Sequence, residues 1–397
     1  MDKIILKPNR DESLLRFHPW VFSGAVERIE GSPAEGDLVS VVSHEGKMLC
    51  QGHYQVGSIA VRVLSFNEDP TRADFWQLMI RRAYRLREAS GLALSADTNC
   101  YRLVHGEGDG LPGLIIDWYD GVAVLQAHSA GMFRARNEIA SALRDVCGDR
   151  LRAVYDKSEA TAPFKAGLDL GDGYLWKADD FKAEELAVLE NGHKFLVNWS
   201  EGQKTGFFLD QRENRKKVGA LAGGRSVLNL FCYTGGFSIY ALAGGALHVD
   251  SVDSSRRAMD MVDRNVSLNG FPAQKHTSYC TDAIDFVKNV PDGAYDLMIV
   301  DPPAFAKHRG VLKNALRAYQ RLNAAAISKI APGGLIFTFS CSQVVDKEAF
   351  ALAVFSAAAD ARRSVRILDR LTQGADHPVN IFHPEGEYLK GLLLYVD

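Results

Sequence analysis

Residues 225–254 read RSVLNLFCYTGGFSIYALAGGALHVDSVDS, and this stretch decides the fold. Val227-Leu228-Asn229-Leu230-Phe231 is a short apolar run of the kind that makes a strand buried on both faces. Cys232-Tyr233-Thr234-Gly235-Gly236 follows as a turn whose two glycines permit unusual backbone angles and close ligand approach. Phe237 to Ala243 reads as a helix ended by Gly244-Gly245. Leu247 to Val252 is a second strand, closing on Asp253 and Ser254. Such a β-turn-α-β unit sets a carboxylate at the tip of its second strand, placed to accept from ribose hydroxyls. An adenosine-bearing cofactor is therefore expected, with an ordinary unliganded unit as the plain alternative. A dinucleotide wants G-x-G-x-x-G under its pyrophosphate. Here only Gly235-Gly236 stands between bulky Tyr233 and Phe237, which suits a cofactor without pyrophosphate, such as S-adenosylmethionine.

A chain of 397 residues has room for two or three domains. With 47% hydrophobic and 24% charged residues it reads as a globular, cytoplasmic protein. It has no apolar run long enough for a membrane span and no signal-peptide core in MDKIILKPNR. Cys50, Cys100, Cys147, Cys232, Cys280 and Cys341 are scattered without a CxxC pair, so neither a disulfide frame nor a metal site is expected. The net charge of −3 does not advertise nucleic-acid binding, but its distribution is uneven. Residues 1–190 hold 22 Lys and Arg against 29 Asp and Glu, while residues 191–397 hold 24 against 20.

Residues 1–72 read as a small β-rich module, with runs such as Leu38–Val42 and Ile59–Leu64 between turns. His18-Pro19-Trp20-Val21-Phe22 is an aromatic cluster, read as a core staple ahead of a nucleic-acid surface. Residues 73–190 form a second region. Ala73–Ser90 is helical and, with Arg72 just before it, carries Arg81, Arg82, Arg85 and Arg87, a strip that could meet phosphates or simply be solvated. Gly113–Tyr119 and Val122–His128 flank the hairpin turn Asp120-Gly121. His105, Glu107 and Asp109 sit in a Gly-rich loop read as structural. Residues 151–190 mix short strands with acidic residues and read as a connection to the next domain.

Residues 191–397 form the third region. Asp210 with Glu213 makes a capping-box pattern opening a helix Gln211–Leu221. Lys204-Thr205-Gly206-Phe207-Phe208, just before it, is expected to fold over the cofactor as a lid. After the opening unit come a helix Arg256–Asn269 and a strand His276–Cys280 ending near Asp282-Ala283, where an adenine amino group could be held. Then follow a strand Tyr295–Val300, a helix Leu312–Ile330, a strand Gly334–Ser340, a helix Asp346–Arg362 and strands Ser364–Leu371 and Glu387–Val396. The sum is a seven-stranded sheet covered on both faces.

Asp301-Pro302-Pro303-Ala304-Phe305 is the most informative short motif. Two prolines lock a turn at the C-terminal end of a strand, where open α/β sheets bind ligands. The Asp301 carboxylate is thereby fixed as an acceptor for an amino-bearing base, and Phe305 could stack on that base or fill the core. Pro302, Lys307 and Arg309 are further substrate candidates, and Arg309, Lys313, Arg317 and Arg321 recur every four residues along one helical face. Cys341 bears on the acceptor atom. Carbon 5 of cytosine becomes nucleophilic only after a thiolate adds to carbon 6. A buried, inert Cys341 stands as the alternative.

Together, GQKTGFFLDQRENR, VLNLFCYTGGFSIYA, VDSS, DPPAF, FTFSCS, ADHPV and PEGEYLKG resemble the ribosomal RNA large subunit methyltransferase I family, over the whole chain. HPWVFSG resembles that family's N-terminal PUA domain, and VHGEGDGLPGLIIDWY its central domain. The chain departs from the family pattern at Ala304, where Lys is frequent. The resemblance implies an α/β fold: a Rossmann-like, seven-stranded class I methyltransferase domain (191–397), preceded by a small PUA-like β-barrel (1–72) and a central α+β domain (73–190). It implies S-adenosylmethionine as cofactor and methylation of carbon 5 of a cytosine in 23S rRNA, with Cys341 and Asp301 catalytic. Phe207, Asp210, Arg212, Asn229, Phe231, Tyr233, Gly235, Asp253, Ser254, Asp282, Ala283 and Asp301 are the cofactor candidates. An exocyclic-amine methyltransferase and a non-catalytic RNA-binding module are the rivals, a nicotinamide enzyme a distant third. No membrane partner is expected, and a homodimer is left open.

Overall fold

Val227, Leu228 and Leu230 have no exposed surface, as a central strand of a covered parallel sheet demands. The computed structural model describes residues 1–397 except Phe164, Lys165 and Lys307, and omits the side chain of Arg309. It divides into two compact units, and the chain passes between them repeatedly. The first holds Met1–Val188, Val197–Leu209 and Ala375–Gly386; the second holds Leu189–Leu196, Asp210–Gly374 and Glu387–Asp397.

The second unit is built on seven strands: β1 (Ser226–Leu230), β2 (His248–Asp253), β3 (His276–Cys280), β4 (Leu297–Val300), β5 (Gly334–Ser340), β6 (Val365–Thr372) and β7 (Lys390–Val396). They lie in the order β3-β2-β1-β4-β5-β7-β6. Strands β1 to β5 pair in parallel, and β7 runs antiparallel to both neighbours. The order reverses between β1 and β4, so a crevice is expected outside the C-terminal ends of those strands. The covering helices are α1 (Arg212–Leu221), α2 (Gly236–Ala243), α3 (Arg256–Leu268), α4 (Ala283–Asn289), α5 (Leu312–Lys329) and α6 (Lys347–Ala361). In α3 the buried positions 258, 259, 262, 265 and 266 follow the helical period, and Ser255 caps its first turn by accepting from Ala258 N. A Cβ at Gly244, where α2 ends, would come within 2.0 Å of the Gly219 carbonyl oxygen, so α1 and α2 meet backbone to backbone.

Within the first unit, six strands between Lys3 and Ser65 form one sheet, with Ile4, Leu6, Val39, Val41, Val61 and Val63 in its core. Five strands between Cys100 and Lys177 form another, under the helices Phe75–Ala89 and Arg136–Cys147. Asp120 (φ 45°) and Gly121 (φ 92°) take the left-handed angles of a type I′ hairpin turn. Residues 151–190 are more than a connection, since Ala153–Asp156 and Gly173–Lys177 are strands of that sheet. Two surface expectations need correction. Arg87 is wholly buried, paired with Asp109 at 2.5 and 2.9 Å and donating to the carbonyls of Arg102 and Asp376, so it meets no phosphate. Phe22 of the HPWVF cluster and Phe17 beside it are 44% and 45% exposed, while Pro19 and Val21 are buried and His18 and Trp20 half-buried. Glu107 and Asp109 do serve structure, Glu107 accepting from Trp20 and Arg62 at 2.8 and 2.7 Å.

Candidate active site at the strand tips of the second unit

The turn after β1 is strained where a ligand would approach. Phe231 (φ 58°), Tyr233 (φ 48°) and Gly235 (φ 81°) are left-handed within five residues, and two of the three carry a Cβ. Such angles cost of order 1 kcal/mol each and persist only where the surroundings impose them. Here the imposing contacts are explicit. Cys232 N donates to Val252 O (3.1 Å), Gly235 N to Cys232 O (2.8 Å), and Asn265 Nδ2 to Thr234 O (2.9 Å). A Cβ on Gly235 would lie 3.0 Å from Val262, so glycine also serves close packing there. The turn leads directly into the N-terminus of α2, which begins at Gly236.

Asp253 ends β2 as expected, and its carboxylate is already half engaged. Oδ2 accepts from Tyr233 N at 3.0 Å and Oδ1 from Ser255 N at 2.9 Å. Each oxygen has two lone pairs, so the pre-set carboxylate keeps acceptor capacity for a pair of ribose hydroxyls. Ser254 is exposed beside it. Asp282 is exposed after β3 and caps α4 through Asp285 N (2.9 Å), with Ala283 buried behind it. The strained turn, the half-satisfied Asp253 and the Asp282 tip fit the parts of an adenosine-bearing ligand. Asn229 does not join them: it is 1% exposed and its amide donates to Ser238 Oγ (2.8 Å), inside a chain that runs on to Ser251 and His276.

The capping-box expectation at Asp210 is overturned. A single 3₁₀ turn, Leu209–Gln211, precedes α1, whose N-terminal boundary is Gln211 without a side-chain cap. Asp210 instead accepts from the Tyr388 hydroxyl at 2.6 Å. Arg212 is 1% exposed and sits 3.6 Å from Glu190, which also takes two bonds from Arg215 (2.7 and 2.6 Å) and one from Tyr240 (3.0 Å). The family resemblance implies a cofactor contact for Arg212; the structure buries it beside Glu190. Phe207 is buried, and two residues before it Thr205 donates to Asp117 at 2.6 Å within the first unit.

On the other side of the switch point, Asp301 follows β4 and accepts from Gln211 Nε2 at 2.9 Å. Gln211 was not singled out from the sequence; its neighbour Asp210 was. Pro302 is buried, and the Phe305 ring lies 4.8 Å from that of Tyr319. Cys341 follows β5 and is partly exposed, unlike Cys232, whose thiol burial pushes up. The loop of Cys341 is tied to the DPPAF turn by Ser342 Oγ, which donates to Ala306 O at 2.6 Å, and to α5 by Ser340 Oγ and Tyr319 OH (2.9 Å). Burial pushes the Tyr319 phenol up to about 12, and charges at both Cys341 and Asp301 add to that push, so the three groups share one neighbourhood. Lys313, Arg317 and Arg321 are exposed along α5, while Ala315, Tyr319 and Leu322 face the core. Lys307 lies outside the described residues, as does the side chain of Arg309.

The strand order and this pair of tips can be set against known proteins. A sequence model described as S-adenosylmethionine-dependent methyltransferase matches residues 101–381, and one described as PUA-like domain matches residues 4–66. Ribosomal RNA large subunit methyltransferase I of Shewanella amazonensis is 40% identical over 398 residues, covering 99% of each chain. The protein of the same name from Erwinia tasmaniensis is 40% identical over 98% of each. The chain belongs to this methyltransferase family. Its cofactor is accordingly S-adenosylmethionine, and its N-terminal sheet is a PUA-like domain. In fold, a Streptococcus mutans protein described as SAM-dependent methyltransferase matches 100% of each chain with a TM-score of 0.85 at 24% identity. A methyltransferase, SMU.776, solved with SAH, matches equally well. Among the described residues no helix is long and apolar enough to cross a membrane.

Proposed function

We propose that this methyltransferase modifies carbon 5 of a cytosine in RNA, with 23S rRNA as the acceptor, through a covalent Cys341–cytosine intermediate. The observation that carries the proposal is the juxtaposition of a partly exposed thiol after β5 with a carboxylate after β4, on loops joined by the Ser342–Ala306 bond. The PUA-like domain and the exposed Lys313, Arg317 and Arg321 row support an RNA acceptor. Relatives named for large-subunit ribosomal RNA support the choice of 23S rRNA.

When bound, S-adenosylmethionine supplies an electrophilic methyl group on a sulfonium and leaves as a neutral thioether. Asp253 accepts from its ribose hydroxyls, Asp282 and Ala283 border its adenine, and the Phe231–Gly235 turn borders its methionine end. Asp301, steadied by Gln211, accepts from the cytosine amino group and holds the ring flat against Phe305. The Cys341 thiolate adds to carbon 6, and the electron pair of the 5,6 double bond makes carbon 5 nucleophilic. After carbon 5 has taken the methyl group, loss of its proton to a base re-forms the double bond and expels Cys341 as thiolate. The test is mass mapping of methylated nucleotides in ribosomal RNA from cells lacking the protein and complemented with wild type or Cys341→Ser. A 5-methylcytosine that returns only with wild type is expected. Full methylation by Cys341→Ser would remove the covalent step, and a methyl group mapped to an exocyclic amine rather than to carbon 5 would point to the amine-methylating rival.

A further inference from the structure

We propose that Lys390 is a positioning residue for Cys341: its ammonium fastens the loop that carries the thiol and supplies the positive charge that keeps the sulfur ionised. The inference rests on the reading of Cys341 as nucleophile. Lys390 opens β7 and stands opposite Ser340 in the β5–β7 register, one residue before Cys341. It is 6% exposed, and its Nζ donates to Ser342 O at 2.5 Å and Val345 O at 2.6 Å, both in the loop that Cys341 begins. A Cβ at Gly391 would meet the Phe339 ring at 2.4 Å, so the backbone beside Lys390 is held hard against β5.

A lysine is costly to bury, and holding two neutral carbonyls is a task a neutral amide could do. The cation is explained by a nearby group that gains from it. A thiolate next to Lys⁺ is the form that attacks, and such neighbours are what lower a cysteine's pKa. The charges around the pair are mixed. Cys341 itself, Asp346 and Glu387 favour the ammonium and Lys347 opposes it, while burial drags Lys390 down to about 8. Among the described residues, Tyr319 feels negative charge at both Cys341 and Asp301, and a carboxylate in that neighbourhood disfavours a second negative charge. Among the described residues, Lys390 is a buried positive charge fastened to the Cys341 loop, placed to offset negative charge there. The sign gives a pH window: the ammonium is present below about pH 8 and lost above it, so its support for the thiolate fades as pH rises through that value.

The experiment is alkylation of the full-length protein with iodoacetamide from acid to alkaline pH, with the Cys341 peptide quantified by mass spectrometry. Wild type, Lys390→Met, Lys390→Gln and Lys390→Arg are compared. Loss of the charge is expected to raise the pH midpoint of Cys341 alkylation by about one unit or more, roughly a tenfold slower reaction near neutrality. Lys390→Gln keeps donors for the loop carbonyls, so it isolates the charge if Lys390→Met fails to fold. Lys390→Arg is expected to restore part of the shift. An unmoved midpoint in folded Lys390→Gln overturns the proposal. Because this readout needs neither RNA nor methyl transfer, it is distinct from failure of the covalent reading, which would show as full transfer by Cys341→Ser.

Discussion

Glu190→Gln is the perturbation whose cost the structure sets most sharply. Glu190 has no exposed surface and is the counter-ion for Arg215 (2% exposed) and Arg212 (1% exposed), with Tyr240 donating to the same carboxylate. Arg212 and Arg215 lie on α1 and Tyr240 on α2, so a single charge joins the two helices that carry Gln211 and the cofactor turn. The amide is nearly the same size, hence packing is preserved and electrostatics are isolated. Two buried guanidiniums then lose their only shared anion among the contacts described. Breaking a buried ion pair from one side costs about 3–5 kcal/mol. For a unit of this size each kcal/mol moves the midpoint by about 2–4 °C, giving a loss of roughly 6–20 °C. Scanning calorimetry of the full chain measures it, and Arg215→Met with the double variant closes the cycle. The double variant is expected to lose less than the two singles together. A Glu190→Gln protein that melts within about 2 °C of wild type would refute the reasoning.

Three further outcomes follow from single contacts. Gly244→Ala keeps an ordinary helical φ but forces a methyl group onto the Gly219 carbonyl oxygen, so a loss of about 1–3 kcal/mol is expected in chemical denaturation. Asp253→Ala removes the acceptor that fixes Tyr233 N and Ser255 N; titration calorimetry should find S-adenosylmethionine binding weaker by about 1.5–3 kcal/mol, roughly ten- to hundredfold. Replacing Lys313, Arg317 and Arg321 together with Gln should lower the slope of log affinity against log salt by roughly 2 for a single-stranded RNA, and an unchanged slope would show that this face does not meet phosphates.

The parts of this molecule that were legible in the sequence are those fixed by local apolar pattern. The runs at 227–231, 295–300 and 334–340 read as buried strands, and Gly and Pro marked the tips of two of them, so the sheet and the places of Asp253, Asp301 and Cys341 could be read. What was not legible depends on partners far along the chain. Asp210 looked like a cap because Glu213 stands three residues on; the hydroxyl of Tyr388, 178 residues away, takes it instead. Glu190 carries no local signal, and Gln211 and Lys390, though they fall within the family-like runs, take their meaning from Asp301 and the Cys341 loop. Arg87 is an instructive miss. It falls in phase with the buried Ile80, Ala83 and Tyr84, so helical spacing placed it on the core face, apart from the exposed Arg81, Arg82 and Arg85.

The central claim is that Cys341 bonds to the cytosine whose carbon 5 receives the methyl group. RNA carrying 5-fluorocytosine tests it most directly, because fluorine cannot leave as the proton does and the adduct is stranded. With S-adenosylmethionine present, peptide mass spectrometry should find a methylated, fluorinated nucleotide on Cys341 and on no other cysteine. Normal methylation of unmodified RNA, with no adduct on Cys341 from the fluorinated RNA, would contradict the account.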